Sequence, residues 1–124
     1  MIRTELKELV EAVGGKAGLL MLLEQFYSRM SNDLMIGFFF RDKDLTLIVS
    51  HQAEFILNSA GLPSNFTGKG PAQAHTLLPP ILAGHFDRRL VILREVLREA
   101  NVDQKWIDRW VAFEELFRGL VVSQ

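Results

Sequence analysis

The chain contains no cysteine, and that absence removes a disulfide framework, thiolate catalysis, cysteine-ligated zinc and iron–sulfur clusters. Any metal it binds must be held by histidine, carboxylate or methionine. Long hydrophobic runs are missing too. Leu19 to Leu23, and Phe38 to Phe40 with their neighbours, fall far short of the ~18 residues a membrane helix needs. Neither sign of charge is in excess: 14 basic and 15 acidic residues give a formal charge of -1. Spread along the chain, they leave no electrostatic footprint for nucleic acid or an anionic membrane. Arg88-Arg89 is the nearest thing to a basic cluster. Met1 to Val13 carries Glu5, Glu8 and Glu11, unlike the core of a secretory signal or an acid-poor transit peptide, so a cytoplasmic location is the expectation. The Glu-x-x-His pairs of a di-iron bundle and the GxxxxGK[ST] phosphate loop are also missing, and Gly68-Lys69-Gly70 opens no long helix.

What is present is the material of one packed domain. With 124 residues, 48% hydrophobic and 23% charged, a single globular unit over residues 1–124 is expected. Helical periodicity runs nearly throughout, without strand alternation, so the fold class is all-α. A first helix covers roughly Thr4 to Ala12 and ends at Gly14-Gly15. A second runs to about Met30 with the apolar ladder Leu19, Leu23, Phe26 and Met30, and Tyr27 on its flank. Ser31-Asn32-Asp33 breaks it, and Met35 to Phe40 reads as a tight connecting turn. Asp44 is suited to cap a third helix that places Leu45, Ile48, Gln52 and Phe55 on one face. Ala60 to Pro71, rich in glycine and proline, is a long irregular loop. A short helical piece around Ala72 to Leu77 is stopped by Pro79-Pro80. Two amphipathic helices follow, one showing Phe86, Leu90, Leu93 and Leu97. The other, capped by Asp103, shows Trp106, Trp110, Phe113, Phe117 and Leu120. No internal repeat or linker interrupts the series.

The polar residues that this pattern turns inward carry the most information, because a buried donor without a partner costs about 1–3 kcal/mol. Tyr27, Gln52 and His75 are the three. From the residues alone each has two readings: a core side chain hydrogen-bonded to backbone, or a group facing a ligand. His75 sits between Pro71 and Pro79-Pro80, an unusual place for a solvated histidine.

Several fragments, taken in order, resemble the truncated haemoglobins. Gly14-Gly15, Gln25-Phe26-Tyr27, Asp33 and Phe38-Phe39-Phe40 are similar to the family's glycine pair, B-helix Phe-Tyr and CD-turn Phe-Phe. His51-Gln52-Ala53-Glu54-Phe55 resembles its E-helix segment, especially in group I. Phe66-Thr67-Gly68 resembles the Tyr-Thr-Gly after the EF loop, and Ala74-His75 the segment of the proximal ligand. Ile81 and His85-Phe86 are similar to the start of the G helix. The resemblance spans about Gly14 to Val122. Gly61-Leu62-Pro63 replaces the usual Gly-Gly-Pro, Phe66 the usual tyrosine, and the Pro-Pro stretch before Ile81 is one residue longer.

The resemblance implies a truncated globin fold, a 2-over-2 helical sandwich around haem b (iron protoporphyrin IX). It implies His75 as iron ligand, its second ring nitrogen fixed by a hydrogen bond. Phe40, Ile48 and Phe55 would line the haem faces, with Ile81 and Phe86 as further walls. Tyr27 and Gln52 would be the donors to a partly charged diatomic ligand, slowing release of dioxygen more than of carbon monoxide. His51 would contact a haem propionate or enter the sixth iron position, the alternative being a solvated helix residue, and His85 is expected to be structural or exposed. The implied partners are dioxygen, carbon monoxide and nitric oxide. Nitric oxide dioxygenase activity with a reductase is the catalytic role it admits. Two other classes compete: a haem-based gas sensor or electron-transfer protein with His51 as sixth ligand, and a haemless interaction module. Sequence gives no oligomeric state. Trp106 and Trp110 suit inward packing better than a dimer contact.

Overall fold

The computed structural model describes residues 3–67 and 79–123, and the regular elements among these are all helices, without a strand. Helix α1 spans Arg3–Ala12 and α2 Gly15–Ser31, a 3-10 turn covers Gly37–Phe40, and α3 runs over Leu45–Ser59. After the loop, α4 covers Ala83–Glu99, α5 Gln104–Glu115 and the short α6 Arg118–Val121. The piece expected around Ala72 to Leu77 lies outside the described residues.

Packing follows from the apolar ladders. Helix α2 packs against α3 on one side and α4 on the other, α4 packs on α5, and α1 closes the far side against α5. The result is two helix pairs, α2 with α3 and α4 with α5. Because α2 is covered from two directions, its buried set is wider than one stripe: Leu19, Leu22, Leu23, Phe26, Tyr27 and Met30. Tyr27, placed by sequence on the flank, is only 5% exposed. On α4 the ladder Phe86, Leu90, Leu93 and Leu97 is buried as expected.

The α1–α2 corner depends on glycine. Gly14 and Gly15 have φ of 104° and 70°, left-handed values that cost an L side chain about 1–2 kcal/mol. One turn on, a Cβ at Gly18 would overlap the Val13 carbonyl, so α2 starts hard against the end of α1. Asp44 caps α3 by accepting from the Leu47 N–H at 3.1 Å. The same helix ends in a Schellman turn, with Leu62 N–H donating to Leu57 O at 2.9 Å and Gly61 N–H to Asn58 O at 3.0 Å.

The tight connection expected over Met35 to Phe40 is present, its second half, Gly37–Phe40, wound as a 3-10 turn. Two expectations are corrected. Asp103 occupies the N-cap position of α5, but its side chain makes no capping hydrogen bond. The last helix does not carry its stripe to Leu120: Leu116 N–H bonds Phe113 O and Phe117 N–H bonds Glu114 O. Those i to i−3 bonds tighten and end α5, the chain restarts as α6, and Leu120 is left 61% exposed. Trp110 is buried and Trp106 half-buried, the latter with Lys105 and Arg109 over its ring.

Candidate functional site

A cavity of about 630 Å³ opens between the two helix pairs, within the size range of small-molecule and cofactor sites. Eight of the nine residues singled out from sequence line it: Tyr27, Phe40, Ile48, His51, Gln52, Phe55, Ile81 and Phe86. The ninth, His75, lies outside the described residues. Phe39, Phe66, Phe113, Phe117 and Val121 complete an apolar wall. His51 and Lys43 line the cavity while being exposed, so they stand at its mouth. Tyr27 and Glu114, each 5% exposed, lie at its inner end.

Helix α3 supplies one side because it is covered on two faces. Val49, Ala53, Ile56 and Leu57 are buried, while Ile48, Gln52 and Phe55, spaced i, i+4, i+7, are half-buried and turned to the cavity. The loop after α3 is held by Glu54. Its Oε1 accepts from Lys16 Nζ at 2.7 Å and its Oε2 from the Asn65 N–H at 2.8 Å. The Lys16 hydrogen bond, and then the Asn65 amide, hold this carboxyl below its ordinary range. That clip brings Phe66 against Phe55, ring centroids 5.5 Å apart, and Phe55 also meets Phe117 at 5.5 Å.

The opposite wall is set by Asp33. Its Oδ1 accepts from Arg88 Nε at 3.0 Å and Nη2 at 2.8 Å, and its Oδ2 accepts from the Met35 and Ile36 amides. The contact with Arg88 is the main reason its carboxyl titrates below the usual range. One aspartate thereby ties α4 to the turn that delivers Phe39 and Phe40. His85 stands between these elements with Phe38 and Phe39 packed nearly perpendicular to its ring, and its Nδ1 accepts from the Leu82 N–H at 3.0 Å. The second ring nitrogen therefore carries the proton when the ring is neutral.

At the inner end the chain holds an ion pair. Arg89 donates to Glu114 from Nε and from Nη2, both at 3.2 Å, and from Nη2 to Tyr27 Oη at 3.4 Å. Its guanidinium carbon lies 4.9 Å from the Phe26 ring centroid and 5.5 Å from that of Tyr27. Burial is the largest single influence and would drive this group toward its neutral form, but the charge and hydrogen bonds of Glu114, together with the Tyr27 oxygen, outweigh it and raise the affinity for the proton. The Arg88-Arg89 pair noticed in the sequence is thus two separate cations, each matched by a carboxylate.

Sequence reasoning missed Arg89, Glu114 and Lys43 as cavity residues. The signal for the first two was present: Arg89 is i+3 from Phe86 and i−4 from Leu93, and Glu114 is i+4 from Trp110 and i−3 from Phe117. Both sit on the edge of an apolar stripe. Such positions normally hold long side chains that reach out to water. Among the described residues, no group of three or more histidine and carboxylate side chains could hold a bare metal ion, and no helix is long and apolar enough to cross a membrane. The cavity suits a largely apolar ligand, with the polar groups of Lys43 and His51 at its mouth.

A family model described as bacterial-like globin matches residues 8–121. The chain is 28% identical over 102 residues to a group 1 truncated haemoglobin of Synechocystis, covering 80% of this chain and 82% of that one. It is 26% identical over 97 residues to a group 1 truncated haemoglobin of Tetrahymena thermophila, covering 78% and 79%. Among solved structures, a 2/2 haemoglobin of a Synechococcus strain superposes with a TM-score of 0.81 at 28% identity, covering 94% of this chain and 98% of the other. The truncated haemoglobin of Tetrahymena pyriformis does so at 0.83 and 23%, with the same coverage.

Proposed function

This chain belongs to the bacterial-like globin family and is a truncated haemoglobin, a haem-binding globin of the 2/2 fold, and we propose that it binds dioxygen reversibly on haem b ligated by His75. The observation that carries this reading is the joint presence of Tyr27 and Gln52 on the wall of one largely apolar cavity. The residues fit the group: Phe40, Ile48, Phe55, Phe66, Ile81, Phe86 and Phe117 offer dry surfaces to a flat ring, and Lys43 and His51 offer positive or polar groups to its propionates. When bound, haem supplies an iron that takes up diatomic gases.

Tyr27 and Gln52 act as donors to the outer atom of a gas that gains negative charge on binding. A hydrogen bond of that kind is worth roughly 1.5–3 kcal/mol, or about ten- to a hundredfold in escape rate. Ile48 offers no donor, so the work falls to these two. The apolar wall keeps water from competing for them. Slow oxygen release of this sort suits reaction better than transport. We extend the proposal to nitric oxide dioxygenase activity, sustained by a reductase. Mixing the reduced, oxygen-equilibrated protein with nitric oxide tests it: rapid formation of ferric protein and nitrate is expected, and their absence would refute the catalytic role.

His51 supports a second reading, since it is an exposed histidine at the cavity mouth. In that reading it takes the sixth iron position and yields to gas, as in a sensor or electron-transfer protein. A six-coordinate resting spectrum lost in His51→Ala would favour it over propionate contact.

A further inference from the structure

We propose that Arg89, anchored by Glu114, is a positioning residue for Tyr27, turning the phenol hydroxyl so that its proton points into the cavity; the idea rests on the haem-globin reading above.

The argument begins with what each group can do. A phenol oxygen both accepts and donates, whereas a guanidinium has donors only. Tyr27 Oη faces Arg89 Nη2 at 3.4 Å, longer than the usual 2.7–3.2 Å. At that distance the positive charge acts mainly through its field, which turns the oxygen toward the guanidinium and the hydroxyl hydrogen away from it. Arg89 cannot take that hydrogen. Among the described residues Tyr27 donates to no acceptor, although the residue is only 5% exposed and lines the cavity. None of those residues takes the proton, which is left for whatever enters.

Arg89 is itself fixed. Two of its donors are committed to the two oxygens of Glu114, a fork that sets the plane of the guanidinium as well as its place. The side chain of Glu114 is 7% exposed and that of Arg89 18%. Fold stability does not call for this pair, because apolar residues of like volume usually serve as well or better. Its contact with the cavity's only tyrosine, which is also the only tyrosine in the chain, gives it a task. A gas that becomes negatively charged on binding gains from a pre-turned donor, and one that stays nearly neutral gains little. The pair therefore also sets the preference among gases.

The test uses the haem-loaded protein in five forms: wild type, Arg89→Met/Glu114→Leu, Tyr27→Phe, all three of those changes together, and Arg89→Lys. Removing both partners avoids a stranded buried charge, and Arg89→Lys keeps the charge without the fork. Three quantities are read: the carbon monoxide stretching frequency, the oxygen dissociation rate, and the ring Cζ resonance of the single tyrosine in the carbon monoxide form. Tyr27→Phe is expected to speed oxygen release about ten- to a hundredfold, and loss of the pair about three- to tenfold. The triple variant should match Tyr27→Phe alone. Loss of the pair should also move the Cζ resonance and raise the stretching frequency, with Arg89→Lys in between. Additive effects in the triple variant, or an unmoved Cζ resonance, would overturn the proposal. If the wild type takes up no haem, the functional reading fails instead. The Cζ resonance of the haem-free protein, compared with and without the pair, then decides whether Arg89 acts on Tyr27.

Discussion

Arg89 of α4 and Glu114 of α5 meet in a two-point ion pair, both contacts at 3.2 Å, beside the phenol of Tyr27. The pair joins the two helices that form one half of the sandwich and places charge at the inner end of the cavity. Its energetics are asymmetric, because each charge is tolerable only while the other is present.

Glu114→Ala strands the Arg89 guanidinium in the interior, and a buried pair broken on one side loses about 3–5 kcal/mol. Arg89→Met/Glu114→Leu removes both charges and should cost far less. Urea unfolding of the two variants checks this. Equal losses would show that packing, not the unpaired charge, dominates.

Tyr27→Phe should leave haem uptake intact while releasing dioxygen about ten- to a hundredfold faster. Carbon monoxide release should change much less, since that ligand is less polar when bound. Stopped-flow replacement of one gas by the other reads both rates on the same sample. A parallel change for the two gases would mean that Tyr27 acts by shape and not by its hydroxyl.

Acid should loosen the cavity walls before it dissolves the core. The carboxyls of Asp33 and Glu54 are held below their ordinary range, by Arg88 and by Lys16 foremost. A depressed folded-state value contributes stability that is complete above the unfolded value near 4 and is lost as pH falls through the folded one. Stability should therefore decline from about pH 5 downward. Asp33→Asn and Glu54→Gln should each flatten that decline while lowering stability at neutral pH. Thermal unfolding as a function of pH measures it, and an unchanged slope in both variants would show that other carboxylates carry the acid response.

The fold was legible where local pattern decides it. Leu19, Leu23, Phe26 and Met30 repeat at helical spacing and are buried, and Asp44 caps the helix it was expected to cap. Gln52 was visible as a candidate because it interrupts an apolar face. The end of α5 was not visible, because Leu116 and Phe117 continue the hydrophobic stripe and the first glycine, Gly119, comes only after the change to i−3 hydrogen bonding. The Arg89–Glu114 pair was hidden for a different reason. Its partners are 25 positions apart, and each looks locally like a solvated charge at a stripe edge. Only the packing of α4 on α5 reveals that the two cover each other.

The most direct test of the account is the visible spectrum of the purified protein, ferric, then reduced, then under carbon monoxide, beside His75→Gly. The account predicts a Soret band that shifts with carbon monoxide in the wild type and is lost or displaced in His75→Gly. A wild-type spectrum without haem, unrestored by added haemin, or a His75→Gly spectrum identical to it, would contradict the assignment of this cavity as a His75-ligated haem site.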